Sequence, residues 1–240
     1  MPIDRRRGHD ADDPHHGCEP RLGVAIRSSV PGGGYAVIAA CRSPSKATAL
    51  ERLERESSGA LTVLELDVTD SASVKRAAAR VPRTAIDILV NCAGVIGAHG
   101  QSLGSLDYAD WMQVLDVNVM GAARVCEAFL ERVAQSERRL IITITSGMGS
   151  LADNTSGGSI PYRTSKAAVN MLMRSAAIDL KSRRITCVVL NPGWVKTDMG
   201  GPNAKLSPEE SVGAMRRLIA KLGPDDSGRF YNYDGREYPW

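Results

Sequence analysis

Two residues that together could move a proton, Tyr162 and Lys166, lie four positions apart in a strongly helical stretch. Pro161 suits the first turn of a helix, where its missing N–H costs nothing, and the apolar run that follows predicts a helix as far as Lys181. Residues four apart share one helix face. A cation beside a phenol lowers the tyrosine pKa toward neutrality, which suits a general acid/base acting on a carbonyl oxygen. By itself, such a pair is also typical of a solvated helix face.

Further polar residues follow several apolar runs of strand length. Asp67 and Val68 follow one run, residues 91–94 (Asn-Cys-Ala-Gly) follow the next, and Ser146 ends a third. A fourth run leads into residues 191–197 (Asn-Pro-Gly-Trp-Val-Lys-Thr). In open parallel sheets ligands bind at the carboxyl ends of the strands. We therefore expect these residues to line one site.

The elements that must position these residues alternate between strands and helices. The predicted strands are 35–41, 61–66, 86–90, 140–145, 185–190 and 229–233, and the predicted helices are 22–30, 45–57, 71–80 (capped by Ser71), 107–134 (in one or two pieces), 161–181 and 208–222. This alternation predicts the α/β class, a doubly wound parallel sheet of the Rossmann type. Without an internal repeat or linker, residues 17–240 are expected to form a single domain.

Composition argues against several classes of protein. The chain has 240 residues and a formal net charge of +3, and it has no Lys/Arg-rich tract that would suit nucleic acid. Its five cysteines are scattered without a Cys-x-x-Cys pair, which is typical of a reducing compartment. No apolar segment reaches the length of a membrane span, and the start is too polar for a secretory signal. We expect a cytoplasmic protein with no membrane partner.

The first sixteen residues differ from the rest of the chain. Residues 1–16 are rich in Arg, Asp and His and offer little apolar surface to bury, which predicts a disordered arm. His9, His15, His16 and Cys18 could be proposed as a metal site. Adjacent histidines in a polar arm are much more often solvated, so we expect no metal here.

The whole set, in its order and spacing, resembles the short-chain dehydrogenase/reductase family across residues 35–240. Ser-Gly-Met-Gly-Ser from Ser146, the stretch Pro-Gly-Trp-Val-Lys-Thr-Asp-Met-Gly-Gly from Pro192 and the ending Gly-Arg-Glu-Tyr-Pro-Trp are similar to the C-factor/sniffer-like carbonyl reductases. The resemblance implies hydride transfer between a nicotinamide cofactor and a carbonyl or alcohol, with the protein supplying orientation and proton transfer.

The resemblance also implies a role for each matching residue. Tyr162 would be the acid/base, Lys166 would lower its pKa and bind the nicotinamide ribose, and Ser146 would bind the substrate carbonyl. Thr145 and Ser150 are less favoured substitutes for Ser146. Asn118, otherwise a core amide paired with backbone, would hold a water that relays protons toward Lys166. The implied cofactor-binding residues are Gly17, Arg21, Gly23, Arg42, Asp67, Val68, Asn91, Ala93, Gly94, Tyr162, Lys166, Pro192, Gly193, Val195 and Thr197.

One departure from the family concerns its first strand and glycine-rich turn. Gly17, Arg21 and Gly23 fall at the spacing of three family glycines, with an arginine in the middle place, where a side chain obstructs the approach to the pyrophosphate. Alternatively, Arg21 is the basic residue that often precedes that glycine, with one residue deleted. In either register, residues 11–16 are too polar for a central strand. A mis-joined start of the coding sequence and a genuine loss of cofactor affinity both remain open.

The choice of cofactor depends on the end of the second family strand. NAD-binding folds place Asp or Glu there to bind the ribose 2′-OH. This chain has Arg42, with Ser43 and Lys46 nearby. An arginine binds a 2′-phosphate bidentately, so we expect NADP(H) rather than NAD(H), although an arginine that merely faces solvent has the same sequence signal.

Two functions from different classes remain. The first is an NADP(H)-dependent oxidoreductase of a small carbonyl or alcohol, and the second is a cofactor-impaired relative that acts as a non-catalytic binding protein. The intact set of Asn118, Ser146, Tyr162 and Lys166 favours the enzyme. The helix after Tyr162 has more apolar positions than one buried stripe needs, which predicts a homodimer or homotetramer.

Overall fold

A computed structural model of the chain describes residues 24–30, 34–82 and 84–240. Within these residues, seven strands form a single mixed sheet in the order β3-β2-β1-β4-β5-β6-β7. The strands are β1 (Val24–Val30), β2 (Gly34–Cys41), β3 (Leu61–Glu65), β4 (Ile88–Asn91), β5 (Leu140–Ile144), β6 (Thr186–Asn191) and β7 (Phe230–Asn232). The helices are α1 (Thr48–Glu56), α2 (Ser71–Arg80), α3 (Tyr108–Leu115), α4 (Gly121–Ala134), α5 (Ile160–Asp179) and α6 (Pro208–Lys221). The architecture is of the Rossmann type.

The centre of the sheet confirms the prediction of buried parallel strands. β4, β5 and β6 pair in parallel, and every residue of β6 is buried. One face of the sheet packs against a cluster that includes Phe129 and Met173, and the opposite face packs against a cluster that includes Leu222 and Tyr231. Because both faces are covered, these strands appear in the sequence as continuous apolar runs.

The first part of the sheet differs from the prediction. Residues predicted as a helix over 22–30 form strand β1 from Val24 onward, which is antiparallel to both β2 and β4. The helix prediction was therefore wrong for residues 24–30. β1 and β2 form a hairpin with three residues between them, too few for the crossover helix of a parallel pair. The apolar run over 35–41 predicted a buried strand, but Tyr35 and Val37 of β2 are exposed.

Capping side chains set the beginnings of two helices, and a π-helical stretch interrupts a third predicted helix. The Asp70 side chain accepts from the Ala72 N–H and caps α2, so the predicted cap at Ser71 was displaced by one residue. The Asp107 side chain caps α3 in the same way. The long predicted helix over 107–134 is divided by a π-helical stretch, Asp116–Met120. Such a stretch re-aims side chains and is frequent at functional sites; here it contains Asn118.

Candidate active site

Tyr162 and Lys166 lie in the first turns of α5, beside the carboxyl end of β5. Both are buried, with 6% and 4% of their surface exposed, so the alternative of a solvated helix face was wrong. The Lys166 Nζ lies 5.7 Å from the centroid of the Tyr162 ring and donates to the Ile144 carbonyl at 3.1 Å.

The pKa values of the pair are set mainly by burial. Desolvation lowers the pKa of Lys166 to about 8, with a smaller opposing influence of Cys92. Desolvation also raises the pKa of Tyr162, while the hydrogen bond with Ser146 acts in the opposite direction. The sequence predicted a lowered tyrosine pKa, and the direction in this structure is the reverse. The physical reason is that burial penalises the phenolate more than its neighbours stabilise it.

Ser146 reaches Tyr162 because a tight turn follows β5. Its Oγ accepts from the Met148 N–H at 3.2 Å and so caps a 3₁₀ turn, Gly147–Gly149. This leaves the hydroxyl hydrogen of Ser146 available to another acceptor. The Thr145 hydroxyl instead donates to Asn170 Oδ1 at 2.6 Å, and the Ser150 hydroxyl donates to the Trp240 main-chain oxygen at 3.2 Å. The Ser146 hydroxyl is the one of the three that interacts with the Tyr162 hydroxyl among the described residues.

Asn118, in the π-helical stretch, hydrogen-bonds to the segment after β4 and to α5. Its Oδ1 accepts from the Val95 N–H at 2.8 Å, and its Nδ2 donates to the Val95 carbonyl at 2.9 Å and to Ser165 Oγ at 2.8 Å. A Cβ added to Gly94 would lie 3.4 Å from Lys166 Nζ and 3.6 Å from Asn118 Oδ1. Gly94, Asn118 and Lys166 thus converge, and the amide is both paired with backbone and close to the lysine.

Three further residues of the site were not singled out from the sequence. The Tyr162 hydroxyl contacts the sulfur of Met199 at 3.8 Å. Arg163 donates to the carbonyls of Gly157 and Gly158 and to the Ser156 hydroxyl, and so holds the loop before α5. A Cβ on Gly149 would lie 2.8 Å from backbone and Cβ atoms of Lys166, so only glycine lets the turn approach α5 this closely. In the sequence, the second glycine of Ser-Gly-Met-Gly-Ser could have indicated this close approach.

The predicted residues after β3 and β4 lie at the same edge of the sheet. The Asp67 carboxylate accepts from Thr69, and Val68 is buried against Gly121 of α4. Asn91 is buried and donates to Thr143 Oγ1, while its Oδ1 has no hydrogen-bond partner among the described residues. Ala93 and Gly94 follow it, half-buried.

The segment after β6 folds back on itself. Gly193 has a φ of +79°, and a Cβ there would lie 2.6 Å from Leu206, which explains the need for glycine. Pro192 is fixed through its carbonyl, which accepts from Ser211 Oγ at 2.7 Å. Val195 bridges to Leu206, and Thr197 Oγ1 accepts from the Gly200 N–H. This segment carries Met199 to the tyrosine.

The predicted phosphate end of the cofactor site is only partly within the described residues. Gly17, Arg21 and Gly23, like His9, His15, His16 and Cys18, lie outside them. Arg42 follows β2 at the edge where Asp67 follows β3, and it is exposed together with Lys46.

The residues at the nicotinamide end fit a dinucleotide. The buried ammonium of Lys166 lies beside Gly94, where a Cβ would come within 3.4 Å of it, and the buried Asn91 Oδ1 has no donor among the described residues. These are the features that a bound polar group would satisfy. In the described part of the chain, no group of three or more His, Cys, Asp or Glu side chains could hold a metal ion, and none of the helices there is long and apolar enough to cross a membrane.

Comparison with known proteins agrees with this arrangement. The family model described as short chain dehydrogenase matches residues 17–206. The C-signal protein of Myxococcus xanthus is 48% identical over 155 residues, which cover 65% of this chain and 93% of that protein. The carbonyl reductase Sniffer of D. melanogaster superposes with a TM-score of 0.82 at 31% identity, covering 88% of this chain and 91% of that chain. An NADPH-bound carbonyl reductase from chicken fatty liver superposes with a TM-score of 0.79 at 34% identity, covering 85% of this chain and 87% of that chain. The chain therefore belongs to the short-chain dehydrogenase/reductase family of oxidoreductases.

Proposed function

We propose that this protein catalyses NADP(H)-dependent oxidoreduction of a small carbonyl or alcohol, with Tyr162 as the acid/base. One observation carries the proposal: the Tyr162 hydroxyl contacts Ser146 while the Lys166 ammonium lies 5.7 Å from its ring. A proton donor, a hydrogen-bond donor for the carbonyl oxygen and a fixed cation are thus gathered at one edge of the sheet.

In the reducing direction the chain's own residues act as follows. Tyr162 stays protonated at neutral pH because burial raises its pKa, so it can donate its proton to the carbonyl oxygen. Ser146 donates its free O–H to the same oxygen, which stabilises the charge that develops there. Lys166, whose pKa is about 8, remains charged near neutrality and favours the tyrosinate that forms.

The cofactor, when bound, supplies or accepts the hydride. Lys166 and Tyr162 would hold its nicotinamide ribose, Asn91 and Gly94 would line it, and Pro192 and Thr197 would border the nicotinamide. Arg42 would bind the 2′-phosphate. The NADPH-bound chicken reductase supports this cofactor, because that structure is similar over 85% of this chain.

A second function, binding without catalysis, is favoured by the reversed first strand. In the family's fold the pyrophosphate sits at a glycine turn between a parallel strand and the next helix. Here β1 is antiparallel and continues into a hairpin. A chain that lost this turn would bind the dinucleotide weakly while keeping its catalytic residues.

A titration of the purified full-length chain with NADPH separates the two functions. The enzyme is expected to enhance nicotinamide fluorescence and to oxidise NADPH when nitrobenzaldehyde or phenanthrenequinone is added. Binding without turnover of any aldehyde, ketone or quinone would support the non-catalytic function, and no NADPH binding would contradict the proposal.

Three sequence predictions remain proposals: the single domain over 17–240, the cytoplasmic location and self-association. α5 exposes Met171 and Ile178, at 66% and 63% of their surface, which supports a homodimer or homotetramer. Light scattering of the purified chain measures this, and a monomer at micromolar concentration would contradict it.

A further inference from the structure

The end of the chain lies against the turn that holds Ser146. After β7 the chain reverses, and the Asn232 N–H donates to the Arg236 carbonyl at 2.8 Å. Residues 237–240, the C-terminal strap, then return along β7, where the Tyr238 N–H donates to the Phe230 carbonyl at 2.7 Å. The strap is therefore tied to the sheet by backbone hydrogen bonds.

Aromatic packing fixes the strap on the core. The Tyr238 and Trp240 rings both contact Phe230, with centroid distances of 5.0 and 5.4 Å. Phe230 is fully buried, so the two rings pack on a side chain of the core.

From this base the strap makes three hydrogen bonds to the loop after Ser146. The Tyr238 hydroxyl donates to Asp153 Oδ2 at 2.6 Å. The Trp240 main-chain oxygen accepts from the Ala152 N–H at 2.9 Å and from the Ser150 hydroxyl at 3.2 Å. The loop is thus attached to the strap at residues 150, 152 and 153.

The strap also touches the residue next to Ser146. A Cβ on Gly147 would lie only 2.6 Å from the Tyr238 hydroxyl oxygen, so this oxygen packs directly on the Gly147 backbone. On its other side the turn packs against α5 through Gly149 and Lys166. The turn whose Met148 N–H orients the Ser146 hydroxyl is therefore held between α5 and the strap.

We propose that Tyr238 is a positioning residue, which through Asp153 and Gly147 keeps the Ser146 hydroxyl aimed at the substrate oxygen beside Tyr162. This inference rests on the proposed oxidoreductase function. Displacements of about 1 Å at a reacting centre can cost a hundredfold in rate, so a loosened turn would lower kcat. It should leave NADPH affinity unchanged, because the strap's hydrogen bonds described above go to Phe230, Ser150, Ala152 and Asp153, none of which is assigned to the cofactor.

The first experiment compares two tyrosine–aspartate pairs. Tyr238→Phe removes the hydroxyl but keeps the ring on Phe230, and we expect kcat for nitrobenzaldehyde to fall about tenfold with little change in KM. Tyr231→Phe is the matched control, because its hydroxyl donates to Asp226 at the same distance of 2.6 Å, away from Ser146. Asp153→Ala, a change on an exposed loop, should match Tyr238→Phe. Equal kcat values for the wild type, Tyr238→Phe and Asp153→Ala would overturn the proposal.

The second experiment tests whether the effect passes through Ser146. In a Ser146→Ala background, Tyr238→Phe should cause no further loss of kcat, because the hydroxyl to be positioned is already absent. A further tenfold loss there would show a general structural effect and would overturn the proposal. A Ser146→Ala variant with wild-type activity would instead contradict the role of Ser146 in the proposed function, so the two failures are distinguishable.

Discussion

The two ends of the predicted cofactor site are built differently. At the nicotinamide end, polar side chains such as Asn118, Thr145 and Lys166 are buried and hydrogen-bonded. At the phosphate end, Arg42 is exposed at the end of β2. Toward the other end of β2, Arg27 of the reversed β1 stacks on the exposed ring of Tyr35 at 3.3 Å. The predicted catalytic side chains are thus buried, whereas Arg42, the described residue that is predicted to bind the cofactor phosphate, faces solvent.

The enclosure of the nicotinamide end follows from strand direction. β4, β5 and β6 run in parallel, so the residues that follow them meet at one edge, where helices and the turn after β5 enclose them. β1 runs the other way and forms a hairpin with β2. We therefore expect changes at the nicotinamide end to affect the rate and changes at the phosphate end to affect affinity.

The largest effect is expected for Tyr162→Phe, which should lower kcat about a thousandfold because the proton donor is lost. NADPH affinity should stay within about twofold, because the ring and Lys166 remain. Steady-state kinetics and fluorescence titration measure the two quantities, with Tyr108→Phe on the exposed surface of α3 as the control. Retained turnover would sink the assignment of Tyr162.

Arg42→Asp tests the phosphate end. It should weaken NADPH binding about tenfold to a hundredfold, because a charge-assisted bidentate contact is replaced by a repelling carboxylate. NADH, which has no 2′-phosphate, should be affected little, and kcat at saturating NADPH should not change. Arg216→Asp on the exposed face of α6 is the matched control. Equal losses for both cofactors would mean that Arg42 merely faces solvent.

Lys166→Met should abolish activity and yet stabilise the fold, by up to about 2 kcal/mol, because a buried charge is replaced by an apolar chain of similar volume. Burial lowers the lysine pKa from 10.5 to about 8. The cost of its charge is therefore fully present below pH 8 and is lost between pH 8 and 10.5, where the folded lysine is neutral.

Urea unfolding of the wild type and of Lys166→Met across this pH range measures whether the substitution raises or lowers the free energy of unfolding. The stability difference between the two proteins should shrink as the pH rises, and the comparison cancels the contributions of Cys126 and Cys187, whose pKa values do not depend on Lys166. A variant less stable than the wild type at pH 7 would show that the hydrogen bond to Ile144 outweighs desolvation.

The smallest effect is expected at the hairpin. Arg27→Met removes the charge above the Tyr35 ring and should cost about 0.5–1 kcal/mol, the range for an exposed cation–π pair. Repeating the change in a Tyr35→Leu background, where the pair is already gone, isolates this contribution. A loss of several kcal/mol would mean that the hairpin is as firmly packed as the nicotinamide end.

The sequence by itself determined most of the elements and the pairing of Tyr162 with Lys166. Apolar runs and helical spacing depend on neighbours a few residues away, so they predicted the strands from β2 to β7 and the helices within a few residues. The alternation of strands and helices predicted the Rossmann-type sheet. The resemblance to a family added the candidate roles of Asn118 and Ser146, and the missing carboxylate after the second family strand indicated Arg42.

Only the tertiary structure decided the direction of β1, the contact of Tyr238 with Gly147 and the sign of the tyrosine pKa. Residues 24–30 have a pattern compatible with helix or strand, and the neighbouring strands β2 and β4 select the strand. The pKa depends on desolvation, which is fixed by atoms that pack around Tyr162 from distant parts of the chain. The spacing of residues along the sequence identifies the candidate groups. Their pKa values depend on burial, which exists only once the chain has folded.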